Sequence, residues 1–442
     1  MSARPDTICA IATPPGRGGV GVIRLSGPDS FSIASSLCGR LPEPRTAALR
    51  RFTDSRGIDI DEGLVLGFKG PASFTGEDVV ELQAHGSPVV LELLLAACVK
   101  AGARRARPGE FSERAFLNDR MDLAQTEAVA DLIAASTEKS ARAARRSLEG
   151  AFSRQVNSLA DDLTSLRVWI EAALDFPDED VDFLADGAVV ERVEALRERL
   201  QTLLSQADGG RLLNDGVHIA IIGPPNAGKS SLLNALSQRD SAIVTAIPGT
   251  TRDVLRETVT IAGLNVTLAD TAGLRETQDH VEAEGVRRAR REMSAADLVF
   301  WVVDCHLQET SPPPGMPAGV PLIEIHNKID LAGLSAKREA RSVWLSAATG
   351  EGLDLLEAVV TEELGLTENS DSDFSARQRH VDLIQQALSS VDHGAGELKL
   401  TGSGELLAED LREAADALGE ITGRISPDEL LGKIFSSFCI GK

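Results

Sequence analysis

The spacing of apolar positions changes period three times along the chain. In residues 1–118, short apolar runs rich in β-branched residues (TICAIAT, GVGVIRLSG, GLVLGF, DVVELQAHG) are separated by Gly and Pro turns and predict strands. SPVVLELLLAACVKAG predicts a helix ended by Gly102, so the segment reads as an α+β domain of its own. In residues 119–210, apolar side chains recur every three or four positions, as in LAQTEAVADLIAAS and SLADDLTSLRVWIEAAL, which predicts amphipathic helices. Acidic DFPDEDVDF, interrupted by Pro177, predicts a solvated connection between two of them, because its acids lack the spacing of a calcium loop. The glycine pair in ADGGRLLNDG predicts the end of that helical run. VHIAIIG then begins a strand apolar on both faces, and strand-like and helix-like segments alternate through residues 211–370 as in a doubly wound α/β domain. After polar TENSDSD, helical spacing returns in residues 371–442, in ARQRHVDLIQQALSSV and GELLAEDLREAADALGEITG. The fold class is therefore multidomain, α+β and α/β, with the α/β module inserted into a helical domain built from both flanks.

A chain of 442 residues, 43% hydrophobic and 25% charged, has the length and composition of several globular domains. The N-terminus has no apolar stretch beside basic residues, and the longest apolar run, PVVLELLLAACV, carries Glu92, so the expected setting is the cytoplasm with no membrane association. A net charge of −22 repels phosphate backbones, which restricts any RNA contact to a local patch or to a partner. The basic clusters Arg104 to Arg107 and Arg287 to Arg291 read first as solvated faces. Five scattered cysteines without CxxC or Cys/His spacing argue against a disulfide framework and against a zinc site.

The α/β segment carries the chemistry. GPPNAGKS follows a strand and opens the helix SSLLNALS, the context in which backbone N–H groups and a lysine cradle phosphates. Its nucleotide-binding residues are Asn226, Ala227, Gly228, Lys229, Ser230 and Ser231, with the Ser230 hydroxyl suited to Mg²⁺. The stretch TAIPGTT follows, with Thr245, Ala246, Ile247, Pro248, Gly249, Thr250 and Thr251, the last suited to Mg²⁺ and the γ-phosphate. LNVTLAD delivers Asp270, and Thr271, Ala272 and Gly273 complete a γ-phosphate sensor. LIEIHNKID brings Asn327, Lys328 and Asp330 to one strand end, and WLSAATG brings Ser346, Ala347 and Ala348 to the next. A carboxylate at Asp330 accepts from the ring N–H and the exocyclic amine of guanine and finds no such pair on adenine, which selects GTP over ATP. One position breaks the pattern. In DTAGLRE the residue after Gly273 is Leu274, where many GTPases place the glutamine that orients the attacking water.

Together with TPPGRGGVGVIRLSGP, RPGEFSERAFLNDRMDLAQTEAVADLI and the terminal FCIGK, these motifs make the whole chain resemble the MnmE (TrmE) family of tRNA modification GTPases. The resemblance implies a folate-binding N-terminal domain similar to the glycine cleavage T-protein, a helical domain and a Ras-like G domain. It also implies a homodimer that works with the FAD protein MnmG to add aminomethyl or carboxymethylaminomethyl groups to C5 of the wobble uridine of certain tRNAs. A formyl-tetrahydrofolate site matches Arg24, Glu81 and Lys442, with Arg120 standing where the family usually has Lys. The resemblance implies that Leu274 is compensated by K⁺ on Asn226, Thr245, Ile247 and Thr250, and by Glu282 as the residue that orients the water. By its local sequence alone Glu282 is a helix surface acid, and Arg252 and Arg275 could pass for arginine fingers. Cys439 is either a buried structural thiol or a catalytic one beside the folate pocket. A rival class, the RNA-binding assembly GTPases that share PGTTRD, carries an RNA-binding module or a second G domain, of which this sequence has no sign. A third reading, a folate enzyme with a merely regulatory G domain, differs mainly in emphasis.

Overall fold

A computed structural model describes residues 6–175, 188–239, 256–270, 293–306, 316, 319–365, 374–425, 428–436, 438 and 441, with backbone alone at 175, 239, 256–257, 269–270 and 428–429. The chain forms two compact units, one of residues 1–130 with 419–442 and one of residues 131–418. DFPDEDVDF beyond its first residue and TENSDSD lie outside the described residues.

In the first unit, β1 (Ile8–Ile11), β2 (Gly18–Ser26), β3 (Ala48–Thr53), β4 (Asp59–Phe68), β5 (Val79–Gly86) and β6 (Arg104–Arg105) form one sheet in the order β3-β4-β5-β2-β1-β6. Neighbours are antiparallel except β1 and β6. Successive side chains of a strand point to opposite faces. Ile23, Leu25, Val80 and Leu82 therefore enter a core with α1 (Ser30–Cys38) and α2 (Pro88–Lys100), while Arg24 and Glu81 between them face the other way. On that second face, Ile8 and Ala10 pack with Phe111 and Phe74. As the spacing predicts, α2 stops just short of Gly102, whose φ of 115° suits glycine. The sequence offers no strand at β3, where Arg50 and Arg51 interrupt the apolar pattern; it pairs at the edge of the sheet, where one flank is open to water.

The second unit holds a helical part and a seven-stranded sheet. β7 (Val217–Ile222), β8 (Arg256–Ile261), β9 (Leu264–Asp270), β10 (Leu298–Asp304), β11 (Leu322–Asn327), β12 (Lys337–Glu339) and β13 (Ser342–Trp344) lie in the order β12-β13-β11-β10-β7-β9-β8. The five inner strands are parallel and the two edges antiparallel. Strand β7 is fully covered: Ile219 and Ile221 enter one core, and Ala220 and Ile222 enter the core on the opposite face. Such double burial is why the strand reads as a continuous apolar run. The chain order reverses at β7, and open α/β sheets bind ligands beyond the carboxyl ends of the strands at such a switch point.

One expectation fails. The helix Ala188–Asp215 runs straight through the glycine pair of ADGGRLLNDG. Both glycines are buried, and a Cβ on Gly210 would lie 2.6 Å from the Phe374 carbonyl oxygen. The glycines let the returning chain approach the helix closely instead of breaking it. The helix Gln378–Thr401 then packs along Ala188–Asp215, Phe374 stacks on Phe152 at 4.6 Å, and Arg377 donates to buried Asp131 from Nε at 3.1 Å and from Nη2 at 2.5 Å.

Candidate functional site

Of the residues predicted around a nucleotide, those among the described residues lie at the carboxyl ends of β7, β9, β11 and β13. Residues 223–228 leave β7 as a loop and enter the helix Lys229–Arg239. Lys229 curls back over the loop, its ammonium donating to the carbonyls of Gly223 at 2.8 Å and Pro224 at 2.9 Å. Asn226, Ser230 and Ser231 are exposed at the mouth of the loop, and Ala227 is buried beneath it. The backbone N–H groups and dipole of a helix start favour an anion there.

A single buried asparagine ties three loops together. Asn327 donates from Nδ2 to the Ala227 carbonyl at 2.9 Å, and its Oδ1 accepts from the N–H groups of Lys328 at 2.8 Å and Ala347 at 3.0 Å. Asn327, expected as a nucleotide contact, also braces the phosphate loop against the loops that carry Lys328 and Ala347. The brace is possible because residue 228 is glycine: a Cβ there would lie 2.2 Å from Asn327 Nδ2, and the φ of 94° disfavours any other residue. The Asp330 carboxylate is set by the Ser346 hydroxyl, which donates to Oδ1 at 2.6 Å. Ser346 is buried, Ala347 is buried and Ala348 is exposed.

Asp304, absent from the sequence-predicted set, closes this constellation. Its Oδ2 receives the Lys328 ammonium at 2.7 Å. That bond, with the His306 backbone N–H, holds the Asp304 carboxyl down to about 2, so it stays charged at any physiological pH. The only hint in the sequence is an acid that ends the apolar run LVFWVVD. Asp270 ends β9 in register with Ile221 of β7. Thr245, Ala246, Ile247, Pro248, Gly249, Thr250, Thr251, Thr271, Ala272, Gly273 and Glu282 lie outside the described residues, as do Cys439 and Lys442.

The first unit holds a second candidate site. Arg24 and Glu81 are register partners on β2 and β5, and Arg24 contacts Glu81 Oε1 through Nε at 3.0 Å and Nη2 at 2.9 Å. The guanidinium stacks over Phe74 at 5.4 Å and Phe111 at 5.9 Å. Phe74 also lines a cavity of about 400 Å³ together with Arg45, Phe68, Pro71, Ala72, Ser73 and Arg120. Of the four residues expected to hold folate, Arg24 lies over the Phe74 ring and holds Glu81, and Arg120 lines the cavity that Phe74 shares. Gly441, next to Lys442, lies against the backbone of Ile11 and Ala12. Arg45 and Phe74 belong to this group through tertiary contact alone; neither sits in a motif. Aromatic faces flanked by three guanidiniums and a carboxylate suit a flat, hydrogen-bonding, anionic ligand.

Two family models match the chain: the MnmE helical domain over residues 123–439 and the GTP-binding protein TrmE N-terminus over residues 7–120. The chain is 52% identical over 458 residues to the tRNA modification GTPase MnmE of Pseudomonas syringae pv. tomato, covering 100% of both chains. It is 53% identical over 457 residues to that of Pseudomonas paraeruginosa, again covering 100% of both. Among solved structures, the G domain of the T. maritima FeoB iron transporter is 25% identical, covering 33% of this chain and 98% of that one, with a TM-score of 0.24.

Proposed function

The chain belongs to the MnmE (TrmE) family of tRNA modification GTPases, and from that premise we propose that it is a K⁺-stimulated GTPase driving a folate-dependent modification of the wobble uridine. Hydrolysis of GTP is the family's activity, and no helix among the described residues is long and apolar enough to cross a membrane. Residues 1–118 bind tetrahydrofolate and dimerise, residues 119–210 and 371–442 form the helical domain, and residues 211–370 form a G domain inserted between them. The homodimer works in the cytoplasm with an MnmG-type FAD protein on tRNA, installing aminomethyl or carboxymethylaminomethyl groups at C5, and GTP-dependent pairing of the G domains rearranges that complex.

Ser230 and Thr251 would hold Mg²⁺, and Asn226, Thr245, Ile247 and Thr250 would hold K⁺, which supplies positive charge where phosphoryl transfer develops negative charge. The exposed Ser230 and Asn226 at the mouth of the phosphate loop fit those roles. Lys229, already fixed on the loop, neutralises phosphate, and Glu282 orients the water. Arg24, Glu81, Arg120 and Lys442 would hold formyl-tetrahydrofolate or a relative, which supplies a one-carbon unit. The Arg24–Glu81 pair presents hydrogen-bonding groups beside the Phe74 ring, a donor set that fits a pterin.

The observation that carries the reading is the coexistence in one chain of a phosphate loop braced by Asn327 and an aromatic, arginine-flanked cavity beside Arg24 and Glu81. Arg24→Ala tests it. Loss of a charge-assisted contact at roughly 1.5–3 kcal/mol predicts a 10- to 100-fold loss of affinity for 5-formyl-tetrahydrofolate, of that order. Wobble-modified nucleosides in tRNA from cells relying on the variant should fall accordingly, while GTP hydrolysis by the purified protein holds. Full modification with unchanged folate binding would remove the cavity from the account.

A further inference from the structure

The carboxyl end of β10 gathers three metal-binding side chains from consecutive residues, Asp304, Cys305 and His306. The sequence does not announce them as a site, because the familiar zinc spacings separate paired ligands by two or more residues. Two backbone contacts assemble the cluster: the Cys305 N–H donates to the Asn327 carbonyl at 3.0 Å, and the His306 N–H donates to Asp304 Oδ1 at 3.0 Å. The chain folds back on itself here, and all three side chains converge.

From this geometry we propose that Asp304, Cys305 and His306 form a binding site for a soft divalent cation of the Zn²⁺ class, beside the base-recognition loop. His306 Nδ1 lies 3.0 Å from Asp304 Oδ1 and 3.8 Å from Cys305 Sγ, and the three ligand atoms lie within 4.8 Å of one another. A tetrahedral ion with bonds of about 2.0–2.3 Å to oxygen, nitrogen and sulfur has ligand atoms roughly 3.3–3.6 Å apart, so the cluster needs only small adjustments. Three protein ligands leave the fourth position to water. A thiolate and an imidazole select Zn²⁺ over Mg²⁺, which prefers oxygen.

Binding has a definite proton balance. The Cys305 thiol gives its proton to solvent as the sulfur–metal bond forms, and His306 carries its proton on Nε2 so that the Nδ1 lone pair meets the ion. Asp304 offers Oδ1, which leaves Oδ2 on the Lys328 ammonium. The ion and Lys328 would therefore share one carboxylate, each on its own oxygen. His306 is 45% exposed at its side chain and Asp304 17%, so the ion can reach the site from solvent.

Co²⁺ is the probe, because a cobalt–thiolate bond gives a charge-transfer band in the near ultraviolet. Full-length protein stripped with chelator and free of nucleotide is titrated with Co²⁺ alone, and then with Zn²⁺ to displace it. The expected result is a saturable band that Zn²⁺ abolishes, retained in Cys38→Ser and lost in Cys305→Ser. Exposed His306→Ala, which leaves the thiol in place, should weaken binding by at least the roughly 10- to 100-fold seen when a ligand's outer partner is removed. Absence of the band in the parent protein, its survival in Cys305→Ser, or unchanged affinity in His306→Ala would each overturn the site.

Discussion

Asp330→Asn is expected to exchange guanine for xanthine specificity. The Ser346 hydroxyl fixes one oxygen of the Asp330 carboxylate at 2.6 Å, and in the proposed site it would set the plane in which the base is read. Two charge-assisted hydrogen bonds from guanine at roughly 1.5–3 kcal/mol each predict that the variant loses about 10²- to 10⁴-fold in GTP affinity. The loss has a specific remedy. An asparagine amide offers one donor and one acceptor, which matches the C2 carbonyl and N1–H of xanthine, so XTP should recover much of the lost binding. Competition of GTP and XTP against a fluorescent nucleotide reads both effects. A variant that binds GTP as tightly as the parent would show that Asp330 does not face the base. One that loses GTP without gaining XTP would point to collapse of the Ser346 loop.

Glu282→Ala is expected to slow turnover by about 10²- to 10⁴-fold, the usual contribution of a group that handles the attacking water, with nucleotide affinity unchanged. Leu274 is a hydrocarbon side chain that cannot orient water where a glutamine commonly does. The acid that takes over need not be adjacent in sequence, provided it reaches the γ-phosphate when the site is assembled. Single-turnover hydrolysis separates the chemical step from binding, and equal burst rates for parent and variant would remove Glu282 from the mechanism. Glu282→Gln distinguishes the roles further. If the residue only orients water, the amide should retain part of the rate; if it accepts a proton, the amide should behave like alanine.

How much of this was legible in the sequence depended on how local the signal was. The phosphate loop reads directly, because strand, loop and helix are contiguous and the residue types are dictated by phosphate. The strands that carry Arg24 and Glu81 also read correctly. Their pairing does not, because it joins positions 57 residues apart through the register of β2 and β5. The same is true of Asp304, whose partner Lys328 lies 24 residues on. Gly209 and Gly210 were misleading for a physical reason: a glycine that breaks a helix and one that permits close packing look identical until the packing partner, here Phe374, is known. Asn327 shows the opposite case. Its motif marks it as part of the nucleotide site, and only the structure gives it three hydrogen bonds to the protein itself. The Asp304–Cys305–His306 cluster needed both the turn after β10 and side-chain placement to become visible.

The central claim is that a bound monovalent cation does the work an arginine finger does elsewhere. Its most direct test is steady-state GTP hydrolysis by the purified chain in KCl and in NaCl at equal ionic strength, with saturating Mg²⁺ and GTP. An arginine finger contributes about 10³- to 10⁵-fold, which sets the ceiling for the K⁺ effect. The expected result is a rate in K⁺ that exceeds the rate in Na⁺ by orders of magnitude while GTP affinity stays comparable. Equal rates in the two salts would contradict the account and direct the search to a partner that supplies an arginine in trans.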